Sequence, residues 1–387
     1  MTKINNNEEI DANKLLQMQV HRLLQALESD TLVLEEALAE TSEALKEIKL
    51  DKRGLPLLHT VPDRVRSLAR IMAMRMAAQQ QEQDDELAAS SPMRDFLPDR
   101  TEVTEEVLDR CARDNRFFPL AFNLFAEVMT LATACALLAQ MSNQELERNQ
   151  AICAGSLVRI SKFMRAMLTL AEDNQHGEII YTLHRPIVES AITVRYLIAK
   201  DDPKFYDQFV EFSLGPEREV FDQVQDNINA RGGVVLPIEQ SMLNSINTTA
   251  EKSGVKIEDV SREDKNWGGN VRNRLQALGE PQLYGGFYRL PSHGIHGTWV
   301  DLIMRHLNYE DGKFTVNLKS PGADVRNLLP LALLILTTVF EYLQAFYDGH
   351  PQVRPLFDAI EDLYSRIQTA DAAHQAWREA RRAEPTA

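Results

Sequence analysis

Apolar side chains recur at helical spacing along most of the chain. Over residues 8–49, Leu15, Val20, Leu23, Leu24, Leu27, Leu34, Leu38 and Leu45 mark one face, and Glu28, Asp30, Glu35, Glu36 and Glu40 fill the other. That pattern predicts a long amphipathic helix, stopped by "KRGLP" at 52–56. A second helix is expected over 63–80, with Arg64, Arg66, Arg70 and Arg75 as a basic strip. Residues 1–78 therefore read as a helical hairpin whose opposite charges pair across its arms. Residues 79–100 are polar and without apolar period, as in a linker.

From residue 101 the pattern is helix after helix, with Thr104 placed to cap the first. Helices are expected near 103–113, 117–141, 143–173, 177–200, 203–229, 237–253, 291–307, 323–348 and 351–380. Only "YEDGKFTVNL" at 309–318 alternates like strands, with Asp311-Gly312 as the turn between them. The expectation is an all-α multi-helix bundle with a small β-hairpin insertion. A core domain would span 101–365, and a charged C-terminal helix or tail 366–387.

Two apolar runs bear on the membrane question. Residues 117–141 contain Pro119, Asn123 and Glu127, and the run at 328–346 is interrupted by Glu341. A spanning helix needs roughly 20 apolar residues with few charges. Both runs read as buried core helices, and no membrane association is expected. The start of the chain lacks the layout of a secretory leader, which points to the cytoplasm.

Composition narrows the chemistry. The 387 residues are 44% apolar and 26% charged, an ordinary globular balance. A formal charge of −15 opposes nucleic-acid binding by the whole surface but leaves room for a local basic groove. Cys111, Cys135 and Cys153 form no C-x-x-C pair, so neither a disulfide framework nor a thiolate zinc site is expected. There is no G-x-x-x-x-G-K-S/T phosphate loop, no G-x-G-x-x-G after a strand, no H-E-x-x-H and no G-x-S-x-G. No cofactor is called for.

Two segments remain as candidates. In "HRPIVESAITVRYLIAK" (184–200) the helix is apolar nearly all round, so Glu189 and Arg195 would be buried charges in need of partners. Arg185 and Glu189 stand four apart and can pair, with Pro186 starting or kinking the helix between them. In "YRLPSHGIHGTW" (288–299), Arg289, Ser292 and His296 fall within about 60° around a helix axis. A near-neutral imidazole and a fixed guanidinium are what metal-independent RNA cleavage uses. His296 would be the general acid/base, Arg289 the phosphate clamp, Ser292 and Tyr288 supporting hydrogen bonders, and Glu189 the group orienting His296. Pro291, however, favours a helix start that leaves Arg289 in a loop. His293 and His296, with Glu189 or His184, are an alternative metal set.

The combination "HRPIVESAITVRYL", Trp267 in "KNWGG", and "LYGGFYRLPSHGIHGTW" resembles a widespread bacterial family of uncharacterised helical proteins, over roughly residues 120–350. Its R-x-x-x-E element falls on Arg185 and Glu189. Its Y-R-x-x-S-x-x-x-H-G element falls on Tyr288, Arg289, Ser292, His296 and Gly297. The resemblance implies that the two helices pack face to face. The Arg289–His296 spacing is also similar, more distantly, to the R-x(4–6)-H motif of the helical HEPN ribonucleases. That analogy implies RNA as partner, a homodimer, and a role in phage defence or as a toxin. Two other functions compete: a non-catalytic scaffold or sensor that docks a partner protein through residues 8–49, and a small-ligand pocket between the same helices.

Overall fold

A helix with apolar side chains on most of its circumference is satisfied only at the centre of a bundle. In the computed structural model of the chain the longest apolar runs lie there. The structure describes residues 91–142, 144–172, 176–262 and 267–383. They belong to one compact unit, Leu87–Ala387. The expectations for 8–49, 63–80 and the hairpin of 1–78 lie outside the described residues, as does most of the 79–100 linker.

Among the described residues the fold is all-α apart from one two-stranded antiparallel hairpin. In chain order the main elements are α1 (Glu105–Asp114), α2 (Phe117–Ala136), α3 (Arg148–Ala171), α4 (Gly177–Lys200), α5 (Pro203–Ser213), α6 (Gly215–Ala230), α7 (Pro237–Lys252), α8 (Val271–Ala277), α9 (Leu290–His296), β1 (Leu307–Glu310), β2 (Lys313–Val316), α10 (Val325–Tyr347) and α11 (Arg354–Ala383). Helices α2, α3, α4 and α10 close a ring, each packing on the next, and α11 lies across α2 and α10. Leu124, Leu131, Leu157, Met164, Ile187, Val194, Leu331 and Ile335 fill its centre with no exposed surface. Both α2 and α10 are long and apolar enough to cross a membrane, and 56% and 61% of their most apolar windows are buried inside this ring.

Several expected boundaries move for identifiable reasons. The 203–229 helix is two helices, because Pro216 stands in the first turn of α6 and has no N–H for the carbonyl of Phe212. The 117–141 run breaks at Leu137, and the 143–173 helix starts later, at Arg148. Helix α8 was not expected; an Asn270–Asn273 capping box starts it. Thr104 does cap α1, its hydroxyl accepting from the Val107 N–H at 3.3 Å. The hairpin turns at Asp311-Gly312 as expected, with strands shifted slightly to 307–310 and 313–316. Helices α6 and α7 form an arm with its own small core, including Phe221, Val224, Leu243 and Ile246. The boundary expected at 365/366 falls inside α11, where Arg366, Ile367 and Ala370 are buried.

A buried ion pair ties α2 to α11. Glu127 accepts from Arg366 Nη1 at 2.9 Å and from the Thr101 N–H at 3.0 Å, and Arg366 also donates to the Thr101 carbonyl at 2.8 Å. Both side chains are buried, so each charge depends on the other. Arg366→Ala is expected to lower the free energy of unfolding by about 3–5 kcal/mol, because it strands the Glu127 carboxylate. The paired change Glu127→Leu with Arg366→Met should cost much less. Urea denaturation of both variants checks this.

Candidate functional site

Helix α4 carries the site. Its inner face enters the bundle, and its outer face receives α8, the helical turn at 284–289 and α9. The chain from Tyr284 to His296 is helical throughout, first as a π-helix over Tyr284–Arg289 and then as α9. Pro291 therefore lies inside a helix that is already running, and Arg289 is helical, not in a preceding loop. Gly297 ends α9 in the left-handed region at φ 53°, a conformation that glycine adopts without strain. The helix expected over 291–307 is accordingly broken there, and resumes as a short turn at Trp299–Asp301 followed by a π-turn at Leu302–His306.

The two sequence elements do meet face to face, but with different partners from those expected. Arg185 on α4 donates from Nε to Glu189 Oε1 at 3.1 Å and from Nη2 to the Tyr288 hydroxyl at 2.9 Å. Its Nη1 lies 3.1 Å from His296 Nε2. The charged neighbour of His296 is thus a guanidinium, not the Glu189 carboxylate. A guanidinium can only donate, so this contact leaves Nε2 as acceptor and puts the ring proton on Nδ1. Glu189 is half-exposed rather than buried, and it holds Arg185 instead of His296. Pro186 sits inside α4 without preventing the Arg185–Glu189 pair. Ser292 turns inward to its own helix, donating to the Tyr288 carbonyl at 2.7 Å.

Arg289 is exposed, and its side chain makes no hydrogen bond or ion pair among the described residues. Similar azimuth on a helix is not adjacency: seven residues separate Arg289 from His296 by about 10 Å along the axis. The neighbouring helix supplies a nearer guanidinium. The stripe that faces α4 runs Tyr284, Tyr288, Ser292 and His296, spaced by four. That spacing was the available signal for Tyr284, which sequence reasoning passed over.

Three further arginines extend or support the cluster. The Arg272 guanidinium lies 5.9 Å from the Tyr284 ring, Tyr284 lies 5.5 Å from Tyr288, and the Arg185 guanidinium lies 4.8 Å from the Tyr288 ring. The result is a continuous ridge of Arg272, Tyr284, Tyr288, Arg185 and His296. Behind it, Arg274 stacks over Trp267 at 4.5 Å with its Nε buried and unbonded. Burial lowers the Arg274 pKa, against the pull of Glu189. Trp267 reaches this place because Gly268, at φ 59°, rests on Tyr196; a Cβ there would sit 2.7 Å from that ring. The buried Arg195 is clamped by Glu280 at 2.6 Å and Glu341 at 2.8 Å, and these bonds outweigh burial and raise its pKa.

Burial, and then the Glu189 carboxylate, push the Tyr288 phenol above its ordinary value, against Arg185. Burial also opposes the charge on Arg185, but Glu189 and Tyr288 overcome it and raise its pKa. The site thus fixes one permanent cation beside one imidazole. His293 is engaged elsewhere, with Nδ1 2.9 Å from the Thr298 hydroxyl. The metal set of His293, His296, Glu189 and His184 does not converge, and among the described residues no three His, Cys, Asp or Glu side chains do.

Residues 150–314 match the model of a family of unknown function, DUF5677. The match is narrower than the 120–350 expected from the motifs. The DUF5677 stretch begins in α3 and ends in the hairpin, so it contains the whole ridge and omits two ring helices, α2 and α10. No curated protein and no solved structure matches the chain.

His184, next to Arg185 but on the inner face of α4, is buried with Nε2 unbonded, and burial lowers its pKa to about 4. The unfolded chain takes up this proton near pH 6.5 and the folded chain only near 4, so stability is retained above 6.5 and lost as pH falls between the two. The loss is at most about 3 kcal/mol. His184→Leu should flatten that part of the stability–pH curve relative to wild type, as measured by urea midpoints from pH 7 to 4.

Proposed function

We propose that the ridge binds single-stranded RNA and that Arg185 and His296 cleave it without a metal. The observation that carries this reading is the 3.1 Å contact between Arg185 Nη1 and His296 Nε2 at one end of a run of cations and rings. Rings accept stacked bases, and guanidinium groups accept phosphates. The role assigned from sequence to Arg289 passes to Arg185.

In the proposed reaction a phosphate oxygen takes the place of His296 on Nη1, while Glu189 and Tyr288 keep the guanidinium oriented. The freed Nε2 removes the proton of the 2′-hydroxyl, and the 2′-oxygen attacks phosphorus. The bond to the 5′-oxygen breaks, that oxygen takes a proton from water, and His296 returns the abstracted proton to solvent. The products are a 2′,3′-cyclic phosphate and a 5′-hydroxyl. Arg185 stabilises the charge on the phosphorane. The HEPN analogy lends this reading only its general chemistry, and fold analogy does not establish function.

A second reading is supported by the same arginine. Its three hydrogen bonds all go to protein groups, as in a latch that holds α9 on α4 for a non-catalytic scaffold. A labelled single-stranded RNA separates the two. On the RNA reading, His296→Ala lowers the cleavage rate by about a hundredfold or more with Tm unchanged. Arg272→Ala weakens binding without changing the product ends. With two phosphate contacts, log K should fall with log salt at a slope of about −1.4. A wild-type protein that neither binds nor cuts, together with an Arg185→Ala variant that melts early, would establish the latch instead.

A further inference from the structure

The segment around Trp267 fixes an arginine that the ridge does not use. Trp267 is buried, with Phe209 and Tyr196 standing edge-on to its indole at 4.9 and 5.9 Å. The braced ring carries the Arg274 guanidinium at 4.5 Å. A ring face attracts a cation but offers it no counter-charge. Among the described residues the Arg274 side chain makes no hydrogen bond and no ion pair, and its Nε is buried. The buried arginines differ: Arg195, Arg218 and Arg366 each hold a carboxylate within 3.1 Å. Glu189 draws Arg274 electrostatically, but that carboxylate is bonded to Arg185 at 3.1 Å. Around Tyr288, two guanidinium groups therefore share one carboxylate. The neighbourhood is one anion short, and burial without a bonded counter-charge lowers the Arg274 pKa.

We propose that Arg274 anchors a binding site for a phosphate monoester, with its Nη groups donating to the terminal oxygens. The planar fork of a guanidinium matches two oxygens of one phosphate. Trp267 holds that fork in place beforehand, so little freedom is lost on binding. The missing charge is that of an anion, and the cation is set behind the ridge. A phosphate with a substituent on one side only reaches it end-on, whereas a diester would have to lead its chain into the recess and out again. Inorganic phosphate and the phosphate end of a nucleotide make the same contacts. The inference does not rest on the RNA reading, in which Arg185 and His296 meet a diester.

Thermal melting of the full chain, in chloride and in phosphate at matched pH and ionic strength, tests it. A ligand bound only by the folded chain raises Tm as its concentration passes Kd. The wild-type Tm is expected to climb with inorganic phosphate or with adenosine 5′-monophosphate, and to ignore adenosine. Arg274→Met keeps an apolar stem on Trp267 without the charge, and should abolish the climb. In chloride it should melt no earlier than the wild type, because it removes a cation that lacks a bonded counter-charge. Arg274→Lys keeps the charge without the fork, and should need at least about tenfold more phosphate for the same rise. An equal response to both ligands would assign the site to the phosphate group itself, and a response to the nucleotide alone would assign it to esters. The inference is overturned by a wild type indifferent to both, or by an equal climb in Arg274→Met. It is also overturned if Arg274→Met melts well below the wild type in chloride, since the guanidinium would then be a brace. A wild type protected by phosphate that cuts no RNA would keep this inference and remove the other.

Discussion

The Arg195 guanidinium is buried in the body of the protein, and a buried guanidinium is tolerable only if carboxylates surround it. Two do. Glu341 comes from α10, inside the ring, and Glu280 from the segment just ahead of Tyr284. This one requirement fixes α4 against the ring on one side and brings the start of the site helix onto α4 on the other. Ten residues along α4 from Arg195, Arg185 repeats the device at the surface, with Glu189, Tyr288 and His296 as partners. The positions of Tyr284, Tyr288 and His296 are consequences of where α4 must put its charges.

The site differs from an ordinary surface ion pair in how Arg185 is used. Glu189 occupies its Nε edge, while Nη1 and Nη2 meet an imidazole and a phenol. A guanidinium has five N–H groups, so three bonds to protein leave two for something else. Its plane is set by groups that do not depend on solvent, which lowers the entropy lost when it meets an anion. Tyr288 is held in turn by burial and by Glu189, and Ser292 locks against the backbone beneath it. The parts that would move least are those that would touch phosphate.

Much of this was legible in the sequence. The apolar periods of α2, α4 and α10 identified them as buried core helices, and Asp311-Gly312 with its alternating neighbours identified the hairpin. The motif elements around Arg185 and Tyr288 correctly implied packing of two helices. What failed was partner choice. Helical phase alone placed Arg289 with His296, because a wheel shows angle and hides the rise along the axis. Glu189 looked buried because its neighbours are apolar, yet α4 turns that side outward. The break before α6 was readable at Pro216, whereas the π-turn at 284–289 has no comparable local mark. Alternation in 307–316 disclosed that the hairpin has an apolar face, but not that Tyr309, Phe314 and Val316 stay exposed among the described residues.

The chain's acidity bears less on the ridge than its total suggests. The excess of 57 acidic over 42 basic residues is a property of the whole surface. At physiological ionic strength, charges more than about 8 Å apart are largely screened. Along the ridge the account is different: Arg272 and Arg274 stand on α8, Arg272 at the Tyr284 end, and Glu189 is the carboxylate bound to Arg185. Glu189 spends its charge on the Nε edge, away from the Nη groups that face His296. On the RNA reading, an anionic group approaching from the His296 side would meet the Arg185 guanidinium first. On the same reading, the distant carboxylates would discourage anions from settling elsewhere, and one braced basic ridge on an acidic protein would select better than a uniformly basic surface.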